Sequence, residues 1–154
     1  MSEIAVSIKN LKKNYDTVEA VKNLSFEVNK GELFGLIGPD GAGKTTAMRI
    51  MCGLLSPDEG HCSILDFDIE KQIKQIRNII GYMPQRFSLY PDLTVAENLR
   101  FFADLFQVPA DERKKRTGRL LQFSKLGPFQ KRRANDLSGG MKQKLALSCT
   151  LIHT

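Results

Sequence analysis

The run Gly38-Pro39-Asp40-Gly41-Ala42-Gly43-Lys44-Thr45-Thr46 fits the spacing G-x-x-x-x-G-K-[ST], and residues of these types in this order suit the enclosure of a phosphate chain. Glycines at 38, 41 and 43 permit backbone conformations that a Cβ forbids, so successive N–H groups can turn inward around an anion. A helix opening directly after the loop adds the positive end of its dipole. Lys44 is placed to reach the β- and γ-phosphates of a nucleoside triphosphate, and the Thr45 hydroxyl to hold Mg²⁺. The pattern has this meaning only between a strand and a helix. A buried strand over Leu33 to Ile37 is expected to feed the loop, and a helix over Thr46 to Cys52 to leave it.

Few other residues offer chemistry. The three cysteines, Cys52, Cys62 and Cys149, are odd in number and form no C-x-x-C pair, so they read as reduced, packed thiols and not as a disulfide framework or metal site. His61 and His153 lack acidic or thiol neighbours at ligand spacing and read as surface or filler residues. The net charge of +6 is concentrated: residues 112 to 133 hold nine Lys/Arg against one acid, Glu112, and the remainder of the chain is slightly acidic. A solvated helical face is one reading of that segment. Attraction to an acidic partner or an anionic membrane surface is another. Nucleic acid is disfavoured, because the charges are not regularly interleaved with aromatic residues as stacking platforms.

These residues need elements to hold them. In 154 residues with 42% apolar content there is material for about one domain with a real core. Short antiparallel strands are predicted over Ile4 to Ile8, Leu11 to Tyr15 and Asn23 to Val28, where apolar and polar residues alternate. A strand from His61 to Leu65, a helix from Glu70 to Arg77 and a buried strand from Ile79 to Met83 follow. Thr94-Val95-Ala96-Glu97 is a capping box opening a helix with Leu99, Phe102 and Phe106 at helical spacing. Further helices are expected from Asp111 to Phe123 and from Gly139 to about Ile152. Strands dominate the first half and helices the second, an α/β organisation with a β-subdomain and phosphate-loop core over 1–86 and a helical subdomain over 87–154. No apolar run approaches the roughly 18 residues of a membrane span, and Met1-Ser2-Glu3 leads straight into strand-like residues without a signal-peptide core. The chain is expected to stay in the cytosol.

A second motif narrows the field. Leu137-Ser138-Gly139-Gly140-Met141-Lys142-Gln143 resembles the LSGGQ signature of ATP-binding cassette (ABC) ATPases, and Ser138 lies 94 residues after Lys44, within that family's usual spacing. Gln85 resembles the family's Q-loop glutamine, and Tyr15, 29 residues before Lys44, its adenine-stacking aromatic. Within the family, Asp40 in the loop, Gly81-Tyr82-Met83-Pro84-Gln85 and Met141 look most like bacterial export ATPases of the multidrug or ABC-2 type.

The resemblance implies a P-loop NTPase core with ATP and Mg²⁺ as ligands. ATP would be held by Tyr15, by Gly38, Pro39, Asp40, Gly41, Ala42, Gly43, Lys44, Thr45 and Thr46, and, from a second cassette paired head to tail, by Ser138, Gly139 and Gly140. Mg²⁺ would be held by Thr45 and Gln85, and Gln85 would also position the attacking water. A separate integral membrane permease would place the protein on the cytoplasmic face of the membrane. Each residue has a plainer reading: Tyr15 as a strand aromatic, Gln85 as a loop glutamine, and Ser138-Gly139-Gly140 as a turn capping a helix. Asp40 stands where the family often has Asn, and Met141 where it has Gln.

The family pattern continues after the signature helix into an apolar strand ending in an Asp, the Walker B strand, then a catalytic Glu and a switch His. No residue of this sequence takes those roles. The chain is therefore expected to be a cassette truncated before the Walker B strand, with 33–37 left as an unpaired apolar edge. The competing functions are a soluble ABC-type ATPase of the translation-factor class and a degenerate fragment that does not hydrolyse ATP.

Overall fold

Alternating side chains draw the N-terminal residues into two long antiparallel strands, β1 (Ile4–Tyr15) and β2 (Val18–Asn29). The computed structural model describes residues 3–85 and 89–153. β1 is one strand where the sequence suggests two. It passes the polar Asn10 by taking that residue into the left-handed region, φ 51°, and the register shifts there as at a bulge. The Asn10 N–H donates to Ser25 Oγ at 2.8 Å, which ties the irregularity to β2. β3 (Glu59–Ile64) pairs with the other side of β1, and the two-residue β4 (Phe67–Asp68) pairs with β3, giving the antiparallel order β2-β1-β3-β4. Asp58 accepts hydrogen bonds from Lys13 Nζ and from the Asn14 N–H, both at 2.6 Å. The Lys13 ammonium holds the Asp58 carboxyl below its ordinary range.

One face of this sheet supplies Ile8, Leu11, Val21, Cys62 and Ile64 to a core completed by Ile50 of α1 (Lys44–Met51) and Ile76 of α2 (Ile73–Ile79). Two predicted strands are absent. Residues 33–37 join no ladder with any described residue, and Leu33 and Ile37 are 101% and 94% exposed. A strand exists through its neighbours' hydrogen bonds and through burial of its side chains; this segment has no ladder with a described residue and only partial burial. Phe34 stacks on Phe26 with ring centroids 4.7 Å apart, and Leu36 is half-buried. The expected strand 79–83 fails differently: Ile79 ends α2, Ile76 and Ile80 pack in the core, and 81–84 are irregular.

The chain divides into two compact units, Met1–Ile80 and Gly81–Thr154; the expected boundary at 86 and 87 lies outside the described residues. In the second unit α3 (Val95–Leu105), α4 (Ala110–Ser124) and α5 (Gly139–Leu151) enclose Val95, Leu99, Leu121, Leu126, Leu137, Leu145 and Cys149. The capping box forms as the sequence predicts: the Glu97 N–H donates to Thr94 Oγ1 at 3.2 Å, and Glu97 Oε2 accepts the Thr94 N–H at 2.7 Å. Those hydrogen bonds from Thr94 hold the Glu97 carboxyl below its ordinary range. Burial pushes the Cys62 and Cys149 thiols up to about 12, which keeps them protonated and inert, as packed thiols should be.

Asn98, fully buried on α3, holds the approach to this helix. Its Oδ1 accepts the Tyr90 N–H at 3.0 Å, and its Nδ2 donates to the carbonyls of Tyr90, Leu93 and Thr94 at 3.0–3.1 Å. Each of those carbonyls also accepts a backbone N–H; among the described residues the Tyr90 N–H has Asn98 alone. Replacing Asn98 with Leu should therefore leave a partly buried donor unpaired and cost about 1–3 kcal/mol, while Thr94→Ala should cost about 1 kcal/mol, both read from urea unfolding. The Glu97 contribution is present above its unfolded pKa and is lost as pH falls through the depressed folded value. The stability difference between wild type and Glu97→Gln should accordingly shrink in acid.

Candidate functional site

The phosphate-loop residues stand against β2. Gly43 is the N-cap of α1 with φ 79° and ψ 3°, and a Cβ built on it would meet the Ala20 carbonyl oxygen at 2.0 Å. Glycine is required there twice over, by conformation and by space. Gly41 also has φ 82°, but its Cβ would meet nothing within 4 Å. Gly38 has an ordinary φ and abuts the Ala42 Cβ. The Ala47 N–H bonds back to the Gly43 carbonyl at 2.8 Å, so the N–H groups of Lys44, Thr45 and Thr46 precede the first residue with a carbonyl four places back and remain for another acceptor.

Gly41, Ala42, Gly43 and Lys44 line a cavity of about 330 Å³ together with Glu19, Ala20, Val21 and Lys22 of β2. The Lys44 ammonium donates to the carbonyls of Gly38 at 2.7 Å and Pro39 at 2.6 Å, drawing the two ends of the loop together. Thr45 is exposed and Thr46 half-buried. The Thr45 hydroxyl has no hydrogen-bond partner among the described residues, the state a cation ligand needs. Asp40 is exposed and not among the cavity's lining residues, in keeping with an acid that the loop turns away from its concave side.

Tyr15 ends β1 opposite Val18, beside the Asp16 turn, φ 49°. It is 43% exposed, so it does not cover the core. It is also not among the residues lining the phosphate-loop cavity. Asp58, by fixing the Asn14 backbone, positions its neighbour.

In the second unit, residue 81 passes close to α5: a Cβ on Gly81 would meet Thr150 Cγ2 at 2.8 Å. Four residues later Gln85 is exposed and shares a cavity of about 360 Å³ with Asn135, Gly139, Lys142 and Gln143. Gln85 and the signature helix thus line one space. Ser138 is the N-cap of α5, its Oγ accepting the Met141 N–H at 3.4 Å. Gly139 and Gly140 are exposed in the first turn. Met141 is half-buried against the helical core, which gives the departure from Gln a packing role.

The segment before the signature is clipped to the start of α3. Val95 and Ala96 N–H donate to the Arg132 and Gln130 carbonyls, and Ala134 and Asn135 N–H donate to the Leu93 and Pro91 carbonyls. Sequence reasoning missed this clip, Asn98 and Ala20, since nothing in the pattern marks an ordinary strand alanine as the wall of a phosphate loop. The helical spacing 139, 142, 143, 146 was the one readable sign that Lys142 and Gln143 share a face with Gly139.

A family model described as ABC transporter matches residues 21–154. The chain belongs to this family. It is 47% identical over 154 residues to the probable multidrug ABC transporter ATP-binding protein YbhF of Escherichia coli (strain K12), covering 99% of this chain and 27% of that protein. It is 39% identical over 153 residues to the Nod factor export ATP-binding protein I of Burkholderia thailandensis, covering 50% of that protein. The chain thus spans between about a quarter and half the length of these curated relatives. Among solved structures, the ATP-binding cassette MJ0796, dimeric in a post-hydrolysis state and bound to ADP and Pi, superposes with a TM-score of 0.82 at 30% identity over 96% of this chain and 69% of that one. The chain therefore has an α/β fold that corresponds to part of an ABC cassette.

The two loop glycines should separate in a substitution test. Gly41→Ala meets only the left-handed penalty of about 1–2 kcal/mol, whereas Gly43→Ala also drives a methyl into the Ala20 carbonyl. Thermal unfolding should show Gly43→Ala as the more damaging. Equal effects would mean that the β2 approach does not constrain the loop.

Proposed function

We propose that this ABC-family chain is the ATP-binding part of an export ATPase subunit, which closes head to tail with a second cassette and drives a separate membrane permease from the cytoplasmic face. The observation that carries the reading is the phosphate loop: left-handed glycines at 41 and 43, a helix N-terminus with unused N–H groups, and Lys44 together in one cavity beside β2. The exporter assignment is supported by relatives whose names speak of multidrug and Nod factor export. The paired state is supported by a dimeric relative holding ADP and Pi. No helix among the described residues is long and apolar enough to cross a membrane, which fits a subunit that depends on a partner for the crossing.

In this reading the loop N–H groups and Lys44 bind the β- and γ-phosphates of ATP, and Tyr15 stacks on adenine. The Thr45 hydroxyl, exposed and without a hydrogen-bond partner among the described residues, and Gln85 suit the oxygen ligands that Mg²⁺ takes. The ion would neutralise charge developing on the transferred phosphoryl group. Gln85 orients water, and Ser138, Gly139 and Gly140 face the γ-phosphate held by the opposing cassette. Lys44 must exchange its bonds to Gly38 and Pro39 for bonds to phosphate.

Lys44→Ala should weaken MgATP binding by the loss of charge-assisted bonds worth roughly 1.5–3 kcal/mol each, measured by titration with a fluorescent ATP analogue. Unchanged affinity would remove Lys44 from the site.

Turnover should behave differently from binding. No acidic residue of this sequence stands after an apolar strand downstream of the signature, so the 154-residue chain should bind ATP and release phosphate only at background rate, even at protein concentrations that favour pairing. Robust, Lys44-dependent phosphate release would show that an acid already present in it orients the water.

A further inference from the structure

The basic residues of 112–133 fall into two groups. Arg113 donates to Asp104 and, at 2.7 Å, to the Val108 carbonyl, and Arg116 donates to Glu112 at 2.7 Å and to the Ile152 carbonyl at 3.3 Å. Both are half-buried and hold α4 to its own unit. Arg132 lies over the Phe129 ring, 5.0 Å from its centroid, and Arg133 sits near Glu97. In contrast, Lys114, Lys115, Arg119, Lys125 and Lys131 are exposed and make no ion pair with a described residue.

Three of these free cations, Lys114, Lys115 and Arg119, fall on one face of α4. Positions 111, 114, 115, 118, 119, 122 and 123 are the exposed positions of α4 from residue 113 onward plus Asp111, and their spacing of three and four places them on one stripe of the helix. Phe123 stands on that stripe one turn beyond Arg119 and is 68% exposed. A stripe that merely solvates a helix gains nothing from a ring in water. Long cationic side chains with an aromatic ring beside them match a bilayer interface, where the stems lie along the surface, the charges meet anionic headgroups and the ring enters the acyl boundary. An acidic protein surface answers the charges and not the ring. A nucleic acid asks for rings interleaved through the charges, whereas this stripe carries a single ring, between Arg119 and Lys125.

We propose that the exposed stripe of α4 carrying Lys114, Lys115, Arg119 and Phe123, continued by Lys125, docks on the anionic headgroup surface of a lipid bilayer. Such a contact would align the second unit on the membrane independently of any permease. It needs no nucleotide, so its failure and that of the ATPase reading are distinguishable.

The test is co-sedimentation of the full chain with vesicles containing about 30 mol% phosphatidylserine or phosphatidylcholine alone. Wild type should prefer the anionic vesicles and lose that preference as salt rises. The triple variant Lys114→Ala, Lys115→Ala, Arg119→Ala should partition roughly 100-fold less, at about fivefold per charge, and Phe123→Ser about tenfold less with its salt dependence retained. Single charge substitutions, each read against the fivefold expectation, serve if the triple variant fails to fold by circular dichroism. Equal partitioning of wild type and variants, or no preference for anionic lipid, would overturn the proposal. So would competition by free inorganic phosphate at constant ionic strength, or tighter binding to polyglutamate or single-stranded RNA than to the anionic vesicles.

Discussion

The Ala20 carbonyl lies where a side chain at residue 43 would begin, and the first unit is arranged around that approach. β2 can bring its backbone so near only because β1 pairs with it from Ile4 to Tyr15, and β1 is held in turn by β3 on its other edge. The sheet fixes the strand, the strand fixes the loop, and the missing Cβ lets them meet. Ala47 and Ile50 of α1, both buried, then carry the loop's orientation into the core. The loop's shape is thus set by elements far from it in sequence, while its chemistry is entirely local.

The second unit solves a comparable problem with polar groups. Asn98 satisfies a turn that has no regular partner, and the clip between 91–96 and 130–135 joins two segments through a single antiparallel bridge, Thr94 to Arg133, outside the sheet. Leu137 is buried directly after the clip and Ser138 begins α5, so the signature glycines emerge from a backbone secured on both sides. A stretch with φ angles as permissive as Gly139-Gly140 needs such anchoring to hold its N–H groups in one direction.

Much of this was legible in the residues. The phosphate loop, the capping box at Thr94 and the helices that became α3, α4 and α5 were marked by local signals: glycine spacing, a Thr-x-x-Glu pair and helical periodicity. The failures were non-local. An apolar run such as 33–37 is strand-like only if neighbours flank it, and periodicity cannot report neighbours. At 79–83 an apolar run was equally compatible with a helix end, and packing of Ile76 and Ile80 in one core decided the matter. Asn10 hid a bulge inside what read as a gap between strands. For the candidate site, residue types suggest Lys44, Thr45 and Ser138, whereas the space shared by Gln85, Asn135, Lys142 and Gln143 depends on how the backbone folds.

The two carbonyls that receive the Lys44 ammonium make the loop its own competitor. An anion entering it does not simply add attractive contacts; it must outbid a pair of short bonds already made inside the protein. A ligand with one weakly charged group gains little by that exchange, whereas a chain of phosphates recovers the loss on several oxygens at once. On the proposed ATP-binding reading, the lysine would act as a threshold as well as an attractor, favouring dense negative charge over a single charged group.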